Sequence, residues 1–278
     1  MKKNIILLGI DGLGKSFSHK KSKASNLIEF FKTGSLINVL ANVPTDSAEN
    51  WGSILTGVVP NRHKLKLEEL DKPYVNELYP SLFKIILTKD KKYKVASFVS
   101  WEPIITGMIE SSLIMDKYAP KLNENFISKL WMYISHHWLK NSIYDSFLVQ
   151  RVLEYIQNNN DPNFLFIHLV DLDEMGHIYG FDSKEYYKKL EETDHYINII
   201  IKTICEYFEN PLILITTDHG GLGTKHGGKS DDERNVFIGS NYVLENNYKS
   251  NMCCSKFILK NLDIEIPAYF DNEPQEDI

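Results

Sequence analysis

The sequence predicts an α/β protein with a mostly parallel central sheet and helices on both faces. Three observations lead there. Short apolar runs recur along the chain, at residues 5–10, 36–40, 95–99, 164–170, 212–216 and 236–238. Helical patterns separate them. The runs are also apolar throughout rather than alternating, as strands covered on both faces are. Among the helical patterns, residues 144–157 carry Phe147, Leu148, Val152, Leu153 and Ile156, and residues 183–208 carry Leu190, Ile197, Ile200, Ile201 and Ile204 along one side. A further helix is expected at 49–55, following Ser47. Residues 104–143 are the irregular part of what reads as one domain over 1–278. They hold Trp131, Tyr133, His136, His137 and Trp138 and are a candidate cap over a site. His136 and His137 receive no metal role, because neighbours on a helix point in different directions. The acidic tail, 271–278, is expected to fray.

Composition narrows the function classes. At 278 residues the chain can bury a large core, and 43% hydrophobic with 24% charged residues is ordinary for a globular protein. The formal net charge of -6 excludes a generally basic surface of the kind that binds nucleic acid. Three cysteines, Cys205, Cys253 and Cys254, make neither a disulfide framework nor a zinc knuckle. No apolar run reaches the length of a membrane span, and the apolar start is cut at Asp11 before any cleavage site. A cytoplasmic protein acting on a small molecule is the expectation.

The chemistry-bearing residues follow the expected strands. Asp11 comes after the first. "PTDSAENWGSILTG" (44–57) follows the second, "DLDEMGHIYG" (171–180) the one at 164–170, and "TTDHGGLGTKHGG" (216–228) overlaps the end of 212–216. Sites in open α/β sheets form outside the carboxyl ends of strands, so these segments are expected to meet. They would bring together the carboxylates Asp11, Asp173 and Asp218, the imidazoles His177, His219 and His226, and the hydroxyl of Ser47. Carboxylate with imidazole suits zinc, or less selectively manganese or iron. Six such groups exceed one four-coordinate ion and match two ions that share a substrate oxygen, an arrangement suited to phosphoryl displacement.

These motifs resemble the alkaline phosphatase superfamily, in its nucleotide pyrophosphatase/phosphodiesterase branch. Asp11, "PTDSAENW", "DEMGH" as Asp-x-x-Gly-His, "TTDHGG" and "KHGG" carry the resemblance, with "LKNLDIEIP" (259–267) matching the closing helix and loop. The resemblance implies one divalent ion held by Asp11, Ser47, Asp218 and His219, and a second held by Asp173, His177 and His226. It implies Ser47 as nucleophile and Asn50 as a phosphate contact, with Trp51 a candidate substrate contact. Two departures bear on substrate. Better-known members of the branch use threonine where Ser47 stands, and the related phosphomonoesterases place an arginine close behind their serine, whereas none follows here. A phosphodiester or nucleotide pyrophosphate substrate is therefore expected over a phosphomonoester. Lys225 and Lys229 are the lysines that would reverse this preference. A sulfatase is disfavoured, because "SAENW" lacks the Ser/Cys-x-Pro-x-Arg motif.

One stretch points elsewhere. "GIDGLGKS", Gly9 to Ser16, satisfies the P-loop pattern and follows an apolar run, the context of a nucleotide kinase. That reading needs a helix directly after Ser16 to aim its amino end at phosphates. Residues 17–23 begin a helix poorly, and only Arg62, Arg151 and Arg234 are present to stabilise a transferring phosphate. Asp11 is expected to matter and Lys15 and Ser16 to be incidental. A non-catalytic binding protein on the same fold is disfavoured by the complete ligand set.

Overall fold

The computed structural model describes residues 3–277. Among these the strands are β1 (Ile5–Ile10), β2 (Ser35–Leu40), β3 (Val95–Val99), β4 (Asp116–Tyr118), β5 (Phe164–Leu169), β6 (Leu212–Thr216) and β7 (Asn235–Ser240). They form one sheet in the order β2-β7-β6-β1-β5-β3-β4. β1 lies between β5 and β6 and runs parallel to both. β7 is antiparallel to β2 and to β6, so it alone among the described strands runs against the rest. An antiparallel neighbour needs no crossover helix, which is why residues 217–234 join β6 to β7 mainly as a loop.

Alternation along the strands builds two cores. Ile5 and Leu7 of β1, with Phe164 and Phe166 of β5, pack against the helices Ser47–Thr56, Leu82–Lys89 and Cys254–Asn261. Ile6, Leu8 and Ile10, with Leu165 and Ile167, pack against Ser25–Thr33, Tyr144–Gln157 and Lys184–Tyr207. Both faces are dry, which explains the unbroken apolar runs. Each fully buried Leu, Ile or Phe contributes about 1.5–3 kcal/mol. The long helix Lys184–Tyr207 is started by Ser183, whose hydroxyl accepts from Tyr186 N. It buries Leu190, Ile197, Ile200 and Ile204.

Differences from the sequence expectation are local. The helix after β2 spans Ser47–Thr56, starting two residues before the expected 49, because Asp46 is the last extended residue. The run at 164–170 stops at Leu169, where the chain turns into the helix Asp171–Tyr179. Residues 104–143 are not uniformly irregular. They supply β4, parallel to β3 at the sheet edge, and a helix at Phe126–His137. Met132 of that helix packs with Tyr144 and Val170, against Trp101, while Phe126, Ile127, Leu130, Trp131 and Tyr133 remain exposed. Among the described residues no helix is long and apolar enough to cross a membrane.

Candidate active site

The sheet order decides what meets. Asp11 follows the central strand β1. The neighbour β5 leads into the helix bearing Asp173 and His177, and the neighbour β6 leads into the loop bearing Asp218, His219 and His226. The helix that begins at Ser47 closes the fourth side. Two groups result, Asp11 with Asp218 and His219, and Asp173 with His177 and His226. Within each group one ligand-type atom from every residue lies within 4.8 Å of the others. The imidazoles of His219 and His226 stack with centroids 3.8 Å apart, so the two groups adjoin.

All three histidines are fixed in the same way. Nδ1 of His219 donates to Gly220 O at 2.8 Å, Nδ1 of His177 to Thr224 O at 3.0 Å, and Nδ1 of His226 to Thr45 O at 2.9 Å. A carbonyl only accepts, so each Nδ1 carries a hydrogen and each Nε2 is the nitrogen turned inward, where a cation would take the place of any proton on it. His219 Nε2 lies 3.1 Å from Asp218 Oδ2 and 3.5 Å from Asp11 Oδ1. His177 Nε2 lies 3.2 Å from Asp173 Oδ2 and 3.1 Å from His226 Nε2.

The carboxylates are divided between anchoring and presenting oxygens. Asp11 Oδ2 accepts from Trp51 Nε1 at 2.9 Å and from His168 Nε2 at 3.0 Å, leaving Oδ1 toward the site. Asp218 Oδ1 accepts from Gly12 N at 3.2 Å. The buried Asp218 Oδ2 and Asp173 Oδ1 have no hydrogen-bond donor at all. Unpartnered buried carboxylate oxygens are costly, and one falls in each group. Orphaned oxygens beside inward imidazole nitrogens are a donor set that fits two divalent cations.

Charge says the same. Asp218 is pushed well above the usual carboxylate range, first by burial and then by the charges of Asp11 and Asp173. Burial would raise Asp11 too, but the His168 bond and the histidine charges outweigh it and hold Asp11 low. The Asp173 bond lifts His177 to about 9 against the pull of burial. Burial and the neighbouring His226 hold His219 below its ordinary value.

Ser47 begins its helix beside the first group. Its Oγ lies 3.0 Å from His219 Nε2 and 3.3 Å from Asp11 Oδ1. The preceding Asp46 does not cap that helix and sits instead with Oδ1 3.3 Å from His226 Nδ1. The first-turn amides are thus left without a side-chain cap at a positive helix end. A cavity of about 350 Å³ opens here. Ser47, Ala48, Asp11, Asp173, His177 and His226 line it, together with Asp46, Glu49, Leu67, Glu68, Trp101, Val170 and Glu174.

Two sequence expectations are corrected. Asn50 is fully buried and its amide serves the loop before the helix. Oδ1 accepts from Asn42 N at 2.8 Å, and Nδ2 donates to Pro44 O at 2.9 Å and Asp46 O at 3.2 Å. Three residues is nearly one helical turn, which brings Asn50 back under its own entry loop instead of out to a phosphate. Trp51 is also fully buried and lines no part of the cavity; it positions Asp11 from below. His168 was not foreseen, although a histidine inside the apolar run "FLFIHL" was its signal. Of the other cavity residues, Trp101 was a candidate pocket residue from the sequence, Glu174 fills an unspecified place in "DEMGH", and Glu68 carried no motif.

The P-loop pattern is taken apart by the structure. Ser16–Ser18 is a single 3₁₀ turn, and the next helix starts at Ser25. The amides a phosphate would need are used: Gly12 N donates to Asp218, Leu13 N to Thr217 Oγ1 and Gly14 N to His219 O. The glycines have other reasons. A Cβ on Gly9 would lie 2.3 Å from the Trp51 ring, and one on Gly12, at φ +66°, would lie 2.6 Å from Asp173 Oδ1.

Comparison with known proteins agrees with this geometry. The family model described as type I phosphodiesterase/nucleotide pyrophosphatase matches residues 5–66 and 85–244. Murine ectonucleotide pyrophosphatase/phosphodiesterase 5 superposes with a TM-score of 0.72 at 12% identity, covering 97% of this chain and 98% of that one. An inactive form of that murine protein in complex with AMP gives 0.71 at 12% identity, covering 97% of both chains. A phosphonate monoester hydrolase of Agrobacterium radiobacter gives 0.70 at 11% identity, covering 98% of this chain and 76% of that one. Over 117 residues the chain is 27% identical to GPI ethanolamine phosphate transferase 3 of Saccharomyces cerevisiae, spanning 11% of that protein's length. The match of the family model over most of the chain, on an alkaline-phosphatase-like fold, makes this protein a hydrolase of the type I phosphodiesterase/nucleotide pyrophosphatase family.

Proposed function

We propose that the protein is a two-metal hydrolase that cleaves phosphodiester or nucleotide pyrophosphate bonds with Ser47 as nucleophile. The observation that carries this is the place of Ser47 Oγ, at the uncapped start of a helix, against Asp11 and His219 of the first metal-ligand-type group and in the cavity that the second group also lines. Asp11, Ser47, Asp218 and His219 would hold one ion and Asp173, His177 and His226 the other, with zinc the best fit to the nitrogen and carboxylate donors. When bound, such ions neutralise the phosphoryl oxygens and lower the pKa of a coordinated hydroxyl or water.

The chain's own residues do the rest. Asp11 is held from below by Trp51 and His168, so its free oxygen keeps a fixed place beside Ser47. Ser47 oxygen bonds to phosphorus as the bond from phosphorus to the leaving oxygen breaks, and the serine proton leaves with the departing alcohol. Water then bonds to phosphorus, the bond to Ser47 breaks, and a proton returns to Ser47. The amides of Ser47 and Ala48, at the helix amino end, stabilise the nonbridging oxygens.

A monoanionic substrate is favoured by the wall of the cavity. Its lining holds no lysine or arginine. Lys229 is paired with Asp277 at 2.7 Å, and neither it nor Lys225 reaches the cavity. The AMP complex of the murine relative supports a nucleotide as one member of the class. The test is kcat/KM for bis(4-nitrophenyl) phosphate against 4-nitrophenyl phosphate on zinc- or manganese-loaded protein. Close like charges cost several kcal/mol, so the diester is expected to lead by about tenfold or more. A ratio below one would make the protein a phosphomonoesterase. Hydrolysis of neither ester would remove the phosphoryl-transfer reading.

A further inference from the structure

The axial position of Ser47 is not fixed by its own helix. The amino end of that helix has no side-chain cap, because Asp46 is turned to His226. The anchor comes from the acidic tail, which the sequence suggested would fray. Asp271 is tied to the far end of the same helix. Its N–H donates to Gly57 O at 2.9 Å, and its carboxylate accepts from Val59 N at 3.0 Å and from Arg62 at 2.6 Å. Four residues on, Gln275 is tied just ahead of the helix start. Val43 N donates to Gln275 O at 2.9 Å, Gln275 N to Asn42 Oδ1 at 2.8 Å, and Gln275 Nε2 to Val43 O at 2.9 Å. Four extended residues span about 14 Å and a ten-residue helix about 15 Å, so the tail lies along the helix and is tied at both ends.

The loop that Gln275 holds carries more than Ser47. Asn50 grips it from inside, through Asn42, Pro44 and Asp46. Thr45, two residues past Val43, orients His226. Its carbonyl accepts from His226 Nδ1 at 2.9 Å, and its hydroxyl accepts from Gly227 N at 3.0 Å and donates to Gly228 O at 2.9 Å. Glu276 extends the tie to the segment before β7. It takes Arg234 in two bonds, at 2.7 and 3.0 Å, and the Arg234 carbonyl accepts from Ala41 N at 2.9 Å. Two of the three arginines in the chain, Arg62 and Arg234, thus serve the tail. The Arg234 fork is directional, as a single exposed lysine contact is not.

We infer that residues 271–276 are a strap that positions Ser47 and His226, with Gln275 the positioning residue. The inference rests on the reading of Ser47 as nucleophile and adds what holds it in line. Gln275 and Glu276 line no part of the cavity and belong to neither group of candidate ligands, so they act only through the segments they tie. Release of Gln275 frees the loop 42–46 on the side away from Asn50. Ser47 then samples positions off the line to phosphorus, while substrate still meets the same cavity wall. The effect falls on kcat and leaves KM in place.

Two measurements on full-length variants test this. Gln275→Ala loses the side-chain bonds to Val43 O and from Asn61 N. Gln275→Glu keeps the bond from Asn61 N and sets a carboxylate oxygen against the Val43 carbonyl. On metal-loaded protein with bis(4-nitrophenyl) phosphate, kcat is expected to fall about tenfold or more in both, with KM unchanged and Tm lowered by no more than about 3 °C. Asp277→Ala is the control, because its pair with Lys229 is exposed and should count for little. Full kcat in both Gln275 variants, on protein that hydrolyses the diester, would overturn the strap and leave the phosphodiesterase reading standing. A raised KM together with a larger loss of Tm would be general destabilisation and would overturn the positioning role. The second measurement uses no turnover. Amide hydrogen exchange in Gln275→Glu is expected to quicken at residues 42–48 and 226–230 and to stay as it was in β1 and β5. No change at those two loops would overturn the strap even in a protein that hydrolyses no ester. Faster exchange confined to them there would support the strap while the phosphodiesterase reading failed.

Discussion

Ser47→Ala is expected to lower kcat by about a thousandfold or more while leaving the fold and most of the metal affinity intact. Ser47 Oγ is the only hydroxyl placed at 3.0 Å from His219 Nε2 and 3.3 Å from Asp11 Oδ1 in the described site. The carboxylates and imidazoles that would hold the ions do not depend on it. Their orientation comes from Trp51, His168 and the backbone carbonyls of Gly220, Thr224 and Thr45. Alanine is also a good residue in the first turn of a helix, so stability should change little. Lys15→Ala is the control, because Lys15 lies beyond the Gly12–Gly14 turn and outside the cavity. Loss of activity in Lys15→Ala with full activity in Ser47→Ala would return the P-loop reading to first place. Metal content of the Ser47→Ala protein, read by elemental analysis, separates loss of the nucleophile from loss of the ions.

Removal of divalent metal is expected to abolish activity and to make stability fall as pH rises from 7 to 9. The sign follows from which state holds protons. Asp218 is raised above the ordinary carboxylate value and His177 is raised to about 9, so the folded metal-free protein binds protons that the unfolded chain releases. Stability is then present at lower pH and is lost as pH climbs through the folded-state values. For His177 the window opens near its ordinary 6.5 and closes near 9. His219, held low, is neutral in both states above 7 and does not oppose this. After allowance for the half-exposed His177, the loss is about 1–2 kcal/mol, or about 5 °C in Tm. A bound cation takes the place of those protons. At a thousandfold excess over Kd one ion adds about 4 kcal/mol and should flatten the pH dependence. Scanning calorimetry after chelation, with and without added zinc or manganese, reads both effects. A metal-free protein equally stable at pH 7 and 9, and unmoved by added metal, would contradict the two-ion reading.

The sheet and the convergence of the candidate ligands were largely legible in the sequence because both rest on local signals. A strand dry on both faces must be apolar throughout, and β1, β5 and β6 are. Asp11, Asp173, Asp218 and the histidines each sit just past such a run, where the fold class alone says side chains converge. What the sequence withheld depends on pairing across the chain. Nothing in residues 235–240 states that β7 runs antiparallel. β4, at Asp116–Tyr118, is too short to show a period. Asn50 and Trp51 were misread because spacing along a helix gives a face but not what that face meets. The structure turns Asn50 to its entry loop and Trp51 under Gly9, both inside the protein. Glu49 and Trp101 were candidates for the pocket from the sequence, but their meeting with Glu68 and Glu174 at one cavity depends on how four separate segments pack.

The direction of β7 has a consequence for how the ions would enter. Because β7 returns beside β6, one continuous loop delivers His219 to the first group and His226 to the second, with their rings stacked. An ion gripped by His219 therefore stiffens the loop that must also present His226, and the entropy of ordering it is spent only once. Uptake should be cooperative. At half saturation the population would consist mainly of empty and doubly filled molecules, with few carrying a single ion, and native mass spectrometry during a zinc titration would display that distribution directly.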